Sequence, residues 1–264
     1  MCLPLKRKLQ STTNKFLPPA VAILLLLLLW QTVCTLDWIP SFMLPSPVQV
    51  VQALIEDFSL LFQHACVTML ETTIGLTVGI VVGFVLAVLM DMFSFLRRAL
   101  YPLIVLTQII PTIAIAPLLV LWFGYEMLPK IILIVLVVFF PISVNLLNGF
   151  QSVDRDTIHL MRTAGANQLQ TFRYVKFPAS LGQFFASLRI SVSYAVVSAV
   201  ISEWLGGFNG LGVYMTRVKK AYSFDKMFAV IFLISALSLL LMWAVKLLQK
   251  KCMPWEKIHK ESSI

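Results

Sequence analysis

Asp154–Pro178 reads DRDTIHLMRTAGANQLQTFRYVKFP, the longest polar interval in a chain otherwise made of apolar blocks. Asp154 and Asp156 suit a helix start, where carboxylates meet unpaired amides. Ile158, Met161 and Ala164 recur on one narrow face. Gly165 then ends that helix, because glycine takes the left-handed conformation of a C-terminal cap. Asn167 with Gln170 three residues on reads as a capping box. Leu169, Phe172 and Val175 give the second helix an apolar side, and Pro178 is expected to break the chain before the next apolar block. The interval therefore predicts two short helices with a glycine corner, basic through Arg155, Arg162, Arg173 and Lys176. Such a pair either docks into a groove on a soluble partner or rests on a membrane surface; its ordered pattern favours docking.

What lies on either side is membrane. Of the 264 residues 59% are hydrophobic and 12% charged, against about 25% charged in a soluble domain. Windows of about 19 residues select six blocks, roughly 16–34, 66–90, 99–122, 129–149, 183–205 and 227–248. Lys6, Arg7, Lys8 and Lys15 before the first block resemble the start of a signal peptide, but the apolar run is long enough to span, so a retained first span is expected. With the N-terminus inside, sixteen Lys and Arg fall inside and five outside, which predicts both termini in the cytoplasm. Arg217, Lys219, Lys220 and Lys226, in the last outer loop, run against that rule. The net charge of +9 records topology and contact with lipid headgroups, with no nucleic-acid partner implied.

Polar residues inside the blocks are the candidate working groups. Glu71 either pairs within the protein or lines a pathway. Gly75, Gly79 and Gly83 share one helix face and predict close packing. Pro102, Pro111 and Pro117 are expected to bend the third span around Gln108. The fifth span carries the small-residue stripe Ser187, Ser191, Ala195, Ala199 and Ser202, suited to close helix contact, including contact across a dimer. Tyr194, Ser198 and Glu203 add hydrogen-bonding groups. Glu203, beside Trp204 and Gly206, Gly207, Gly210 and Gly212, reads as a gate or as an interfacial carboxylate. Ser46-Pro47 predicts the start of a short outer helix reaching about Leu61. Cys34 and Cys66 near the outer span ends make a disulfide conceivable, with apolar filler the preferred reading. No cysteine spacing suits a metal. His64, His159 and His259 lie outside the blocks, and no nucleophile–base motif appears, so no catalytic residue is assigned.

Asp154–Pro178 resembles the EAA loop of ABC-transporter permeases, which carries Glu-Ala-Ala, a glycine after three more residues, and Leu-Pro thirteen residues past the glycine. Gly165 is that glycine, Val175 takes the aliphatic position and Phe177-Pro178 the Leu-Pro position; His159-Leu160-Met161 replaces Glu-Ala-Ala. With LPSP before the outer helix, PTIAIAPLLVLWFG in the third block and EWLGGFNGLGVYM after the fifth, the chain resembles the nitrate/sulfonate/taurine-type branch of importer permeases, which includes thiamine-precursor and riboflavin permeases. The resemblance implies a prokaryotic inner-membrane subunit that dimerises, binds separate ABC ATPase subunits, and receives solute from an extracellular or periplasmic binding protein. The chain lacks a Gly-Lys pair and hence a Walker A loop, so ATP is expected on the partner and no cofactor on this chain.

The resulting expectation is an all-α polytopic protein of about six spans, one permease domain over 1–264 with a cytoplasmic coupling loop at 151–182. His159, Thr163, Ala164, Gly165, Ala166, Phe172, Val175, Phe177 and Pro178 are the expected coupling residues. Gln108, Tyr194, Ser198 and Glu203 are the expected route. On overall resemblance the expected solute is a thiamine pyrimidine precursor, with riboflavin or an aliphatic sulfonate next. The alternative is a secondary transporter driven by an ion gradient.

Overall fold

In a bilayer a segment that satisfies its own backbone groups must be a helix or part of a closed barrel, and among the described residues every regular element is helical. The computed structural model describes residues 4–40 and 43–255. The helices are α1 (Pro4–Thr35), α2 (Pro47–Glu56), α3 (Phe58–Met92), α4 (Ser94–Ile109), α5 (Thr112–Phe123), α6 (Met127–Gln151), α7 (Arg155–Thr163), α8 (Gln168–Thr171), α9 (Phe177–Leu205), α10 (Leu211–Lys220) and α11 (Phe224–Cys252). Residues Phe172–Lys176 form a π-turn between α8 and α9. Five helical segments are long and apolar enough to cross a membrane, or six if the bent pair α4 and α5 counts as one span.

The described residues gather into two compact units, one from 4–40 and 43–59 with 217–232 and one from 60–216 with 233–255. In the first, the indole of Trp30 stacks on Phe232 at 5.9 Å and donates to the Pro45 carbonyl at 3.1 Å, while Val50, Ala53 and Ala229 form a small core. Leu24–Leu29 stay between 45% and 66% exposed. Six consecutive exposed leucines are untenable in water; in hydrocarbon each is favourable by about 0.3–0.6 kcal/mol. Ser46 caps α2 as predicted, and the structure adds a reciprocal capping box with Gln49. That helix ends at Glu56, short of Leu61, because Asp57 terminates it and α3 begins at Phe58. Lys226 pairs with Asp57 at 2.8 Å. Arg217, Lys219 and Lys220 occupy the last turn of α10, where positive charge suits the helix dipole. These basic residues thus have local electrostatic reasons to stand where the topology rule disfavours them.

The second unit is organised by α6 against α3 and α9. A Cβ at Gly75 or Gly79 would stand 2.7 Å from Ile134 or Val138, and one at Gly83 2.8 Å from the Phe139 carbonyl. The glycine face therefore lets α3 lie directly on α6. From α9, Phe185, Leu188, Val192, Ala195 and Ala199 repeat at three and four residues and join Ile134, Val138, Ile142, Leu146 and Phe150 of α6 in one core. The stripe Ser187, Ser191, Ala195, Ala199 and Ser202 is buried within this chain, so its small side chains already serve an internal contact.

Two expectations about prolines are corrected. Of the three in the third block, only Pro111 breaks it: α4 and α5 meet at 97°. Ile110 and Pro111 are both extended (ψ 120° and 122°), as a residue before proline prefers. Pro102 and Pro117 stay inside helices. Pro178 does not break the chain at all. The helical path is continuous from Gln168 to Leu205 because the π-turn widens the helix and the Phe177 amide donates to Phe172, which gives the proline room in the first turn of α9. His64 lies inside α3 and not outside the spans, since α3 starts at Phe58. His259 lies outside the described residues. Cys34 and Cys66 are free thiols.

Candidate functional site

The corner at Gly165 is built from short-range contacts. Asp154 accepts from the Asp156 amide at 3.2 Å and opens α7. At the other end the Gly165 amide donates to Arg162 at 2.9 Å and Ala166 to Met161 at 3.0 Å, the paired bonds of a Schellman cap, with Gly165 at φ +82°. Asn167 and Gln170 close the predicted capping box, both bonds at 2.8 Å. The expected coupling residues fall into two groups. His159, Thr163, Ala164 and Gly165 are exposed, with Ala166 half-buried beside them, whereas Phe172, Val175, Phe177 and Pro178 are half-buried. Phe172 packs on Phe150 at 5.2 Å and Phe177 on Phe84 at 6.1 Å. Lys176 holds Asp91, at the end of α3, at 2.8 Å. The second group therefore anchors the corner to α3 and α6, and the first group forms its outer face. Leu160, Leu169 and Tyr174 stand 71%, 73% and 66% exposed on it.

A second constellation sits at the opposite end of the same unit. Lys130, in the first turn of α6, donates to Glu71 of α3 at 2.6 Å, with both side chains buried. Glu203, near the end of α9, accepts from the Thr68 hydroxyl at 2.7 Å and the Gly212 amide at 2.6 Å. The Leu211 amide donates to the Thr68 oxygen at 2.9 Å, and the Gly210 amide to His64 Nδ1 at 3.0 Å. Gly210 has φ +126°, and a side chain there would strike the Glu203 carboxyl. A lone charge at membrane depth costs about 2.5–3.5 kcal/mol or more, and the Glu71–Lys130 contact offsets part of that cost for both groups.

Of the expected route residues, Gln108 and Tyr194 are exposed on this chain, while Ser198 and Glu203 are buried. Glu203 is thus no interfacial carboxylate: it is 1% exposed and fastens the glycine-rich loop. Glu71 is paired. Lys130, Thr68 and His64 were missed by sequence reasoning. Lys130 reads as an outer-loop charge, yet a single cation beside a span together with a single carboxylate in another span is the available signal for a pair.

A helical membrane bundle with an exposed polar corner at one end and a buried Glu71–Lys130 pair at the other fits a membrane transport subunit. The family described as binding-protein-dependent transport system inner membrane component matches residues 79–253, and the chain belongs to it, within the nitrate/sulfonate/taurine-like branch of ABC-transporter permeases. The chain is 39% identical to the formylaminopyrimidine transport permease protein ThiX of Halalkalibacterium halodurans, over 91% of this chain and 96% of that one. It is 33% identical to the riboflavin transport system permease protein RibX of Chloroflexus aurantiacus, over 96% and 95%. A solved inward-facing structure of the MetNI methionine ABC transporter superposes with TM-score 0.66 at 19% identity, covering 75% of this chain and 98% of that chain, which is a likeness of fold. The chain is thus a multi-pass ABC importer permease, and its family is one of transport subunits, not catalytic ones.

Proposed function

We propose that this permease imports a thiamine pyrimidine precursor of the formylaminopyrimidine class, as one domain over 1–264 that dimerises in the prokaryotic inner membrane with both termini in the cytoplasm. The observation that carries the substrate is the near end-to-end similarity to a permease named for that solute. Riboflavin is the second reading, carried by the more distant relative named for it. A solute-binding protein outside delivers the solute, and separate ATPase subunits inside hydrolyse ATP.

The corner at Gly165 is the proposed joint to those ATPases. Its apolar side chains Leu160, Leu169 and Tyr174 are exposed, while Phe172, Phe177 and Lys176 tie it to α3 and α6. A push on α7 would therefore move spans and switch the pathway between its two openings. Gln108 beside the break at Pro111, and Tyr194 on α9, are proposed to line the route, since extended backbone at membrane depth is tolerated where it faces a cavity or protein. Ser198 and Glu203 support that route from inside the chain. The test is uptake of labelled formylaminopyrimidine by cells producing the permease with its ATPase and binding protein. Uptake should vanish when the ATPase is omitted and resist excess riboflavin. Uptake that continues without the ATPase would overturn the energy source, and full competition by riboflavin would overturn the substrate.

A further inference from the structure

We propose that a basic recess between the start of α4 and the end of α6 binds the phosphate headgroup of an anionic membrane lipid. The recess has a volume of about 350 Å³ and is lined by Arg97, Arg98, Tyr101, Pro102, Leu147, Asn148 and Gln151. Two adjacent guanidiniums, a phenol and two amides offer hydrogen-bond donors, and no carboxylate is among the lining residues. Among the described residues neither guanidinium has an acidic partner. Asp91, the carboxylate at the neighbouring end of α3, is already taken by Lys176 at 2.8 Å. The recess therefore keeps its full positive sign, and paired guanidiniums match a phosphate's geometry and charge.

Its depth suits a headgroup. The 25 residues of α6 extend about 37 Å, more than the ~30 Å of hydrocarbon, and Gln151 is the final residue of that helix. Leu147 is buried and closes the apolar side together with Pro102. On α4, Leu106 and Ile109 stand one and two turns past Pro102 on the same helix face and are 53% and 70% exposed, an apolar track for acyl chains that a free phosphate ion would not use. Basic pockets between spans near the inner surface are suited to anionic headgroups. The choice of leaflet rests on the orientation proposed above; the binding itself does not.

The experiment is an equilibrium titration of the purified full-length protein in neutral detergent with phosphatidylglycerol, phosphatidylcholine and inorganic phosphate as probes. Phosphatidylglycerol should bind in preference to phosphatidylcholine. The double variant Arg97→Gln/Arg98→Gln should weaken it by about tenfold or more. Lys246→Gln/Lys250→Gln, which removes two exposed charges of α11, should change it by less than about twofold if the recess, and not total charge, is the site. Asn148→Trp fills the recess while keeping both arginines and should also weaken binding, so the proposal remains testable if the arginine variant fails to fold. Equal binding of the two lipids, equal loss in the lysine variant, or inorganic phosphate binding as tightly as the lipid would each overturn it.

Discussion

The two ends of the larger unit solve opposite problems. At the Gly165 corner every cap bond joins residues close in sequence, and the outer face leaves Leu160 and Leu169 more than 70% exposed. At the other end Glu71, Lys130, Thr68, His64 and Glu203 are all buried, and the bonds Lys130–Glu71, Thr68–Glu203 and Gly210–His64 join residues 59, 135 and 146 positions apart. The first end is locally complete but unfinished as a surface. The second is finished as a surface but exists only once three helices have met. An end that must engage another protein keeps its apolar groups outside. An end that must hold a loop across helices buries its polar groups and satisfies them, Glu71 by Lys130 and Glu203 by the Thr68 hydroxyl and the Gly212 amide.

The contrast breaks most readily at Lys130. Lys130→Met leaves the Glu71 carboxylate without its cation, and a loss of about 3–5 kcal/mol is expected, read as a fall in the thermal midpoint in detergent. Glu71→Gln/Lys130→Met should recover most of it. A single variant as stable as the double would show that the pair does not hold this end together. Glu203→Gln is expected to cost about 1–3 kcal/mol, because an amide oxygen replaces a carboxylate that accepts from both Thr68 and Gly212. Its signature is faster amide exchange at Gly212, with the 155–177 corner unchanged; equal acceleration at both ends would erase the distinction between them.

Smaller effects are expected at the corner. Gly165→Val meets open space but a φ of +82°, so only backbone strain of about 1–2 kcal/mol applies. Insertion should survive while ATPase-dependent transport is lost, and unimpaired transport would argue against the joint. Leu160→Ser/Leu169→Ser should shift stability by no more than about 0.5 kcal/mol, yet reduce co-purification of the ATPase. Unchanged co-purification would show that the exposed apolar face is not the contact.

Legibility followed the same division. The cap at Gly165, the Asn167–Gln170 box and the Ser46 cap were readable because each is set within a turn of helix. The glycine face of α3 was readable as a packing face because missing side chains have one common consequence, close approach. Prolines misled in both directions. A sequence marks where an amide is absent, but whether the helix breaks, as at Pro111, or widens, as before Pro178, depends on what packs around it.

Composition and periodicity by themselves determined a helical membrane chain, the number of its crossings to within one, and a capped polar corner, because those properties arise from the solvent and from bonds within four or five residues. The tertiary structure decided that Lys130 answers Glu71, that Glu203 and His64 hold the Gly210–Gly212 start of α10, and that two arginines without an acidic partner among the described residues share a recess with Asn148. Charges on different helices acquire partners only through packing, since desolvation penalises each one alone and the fold chooses which opposite charge stands near enough to compensate.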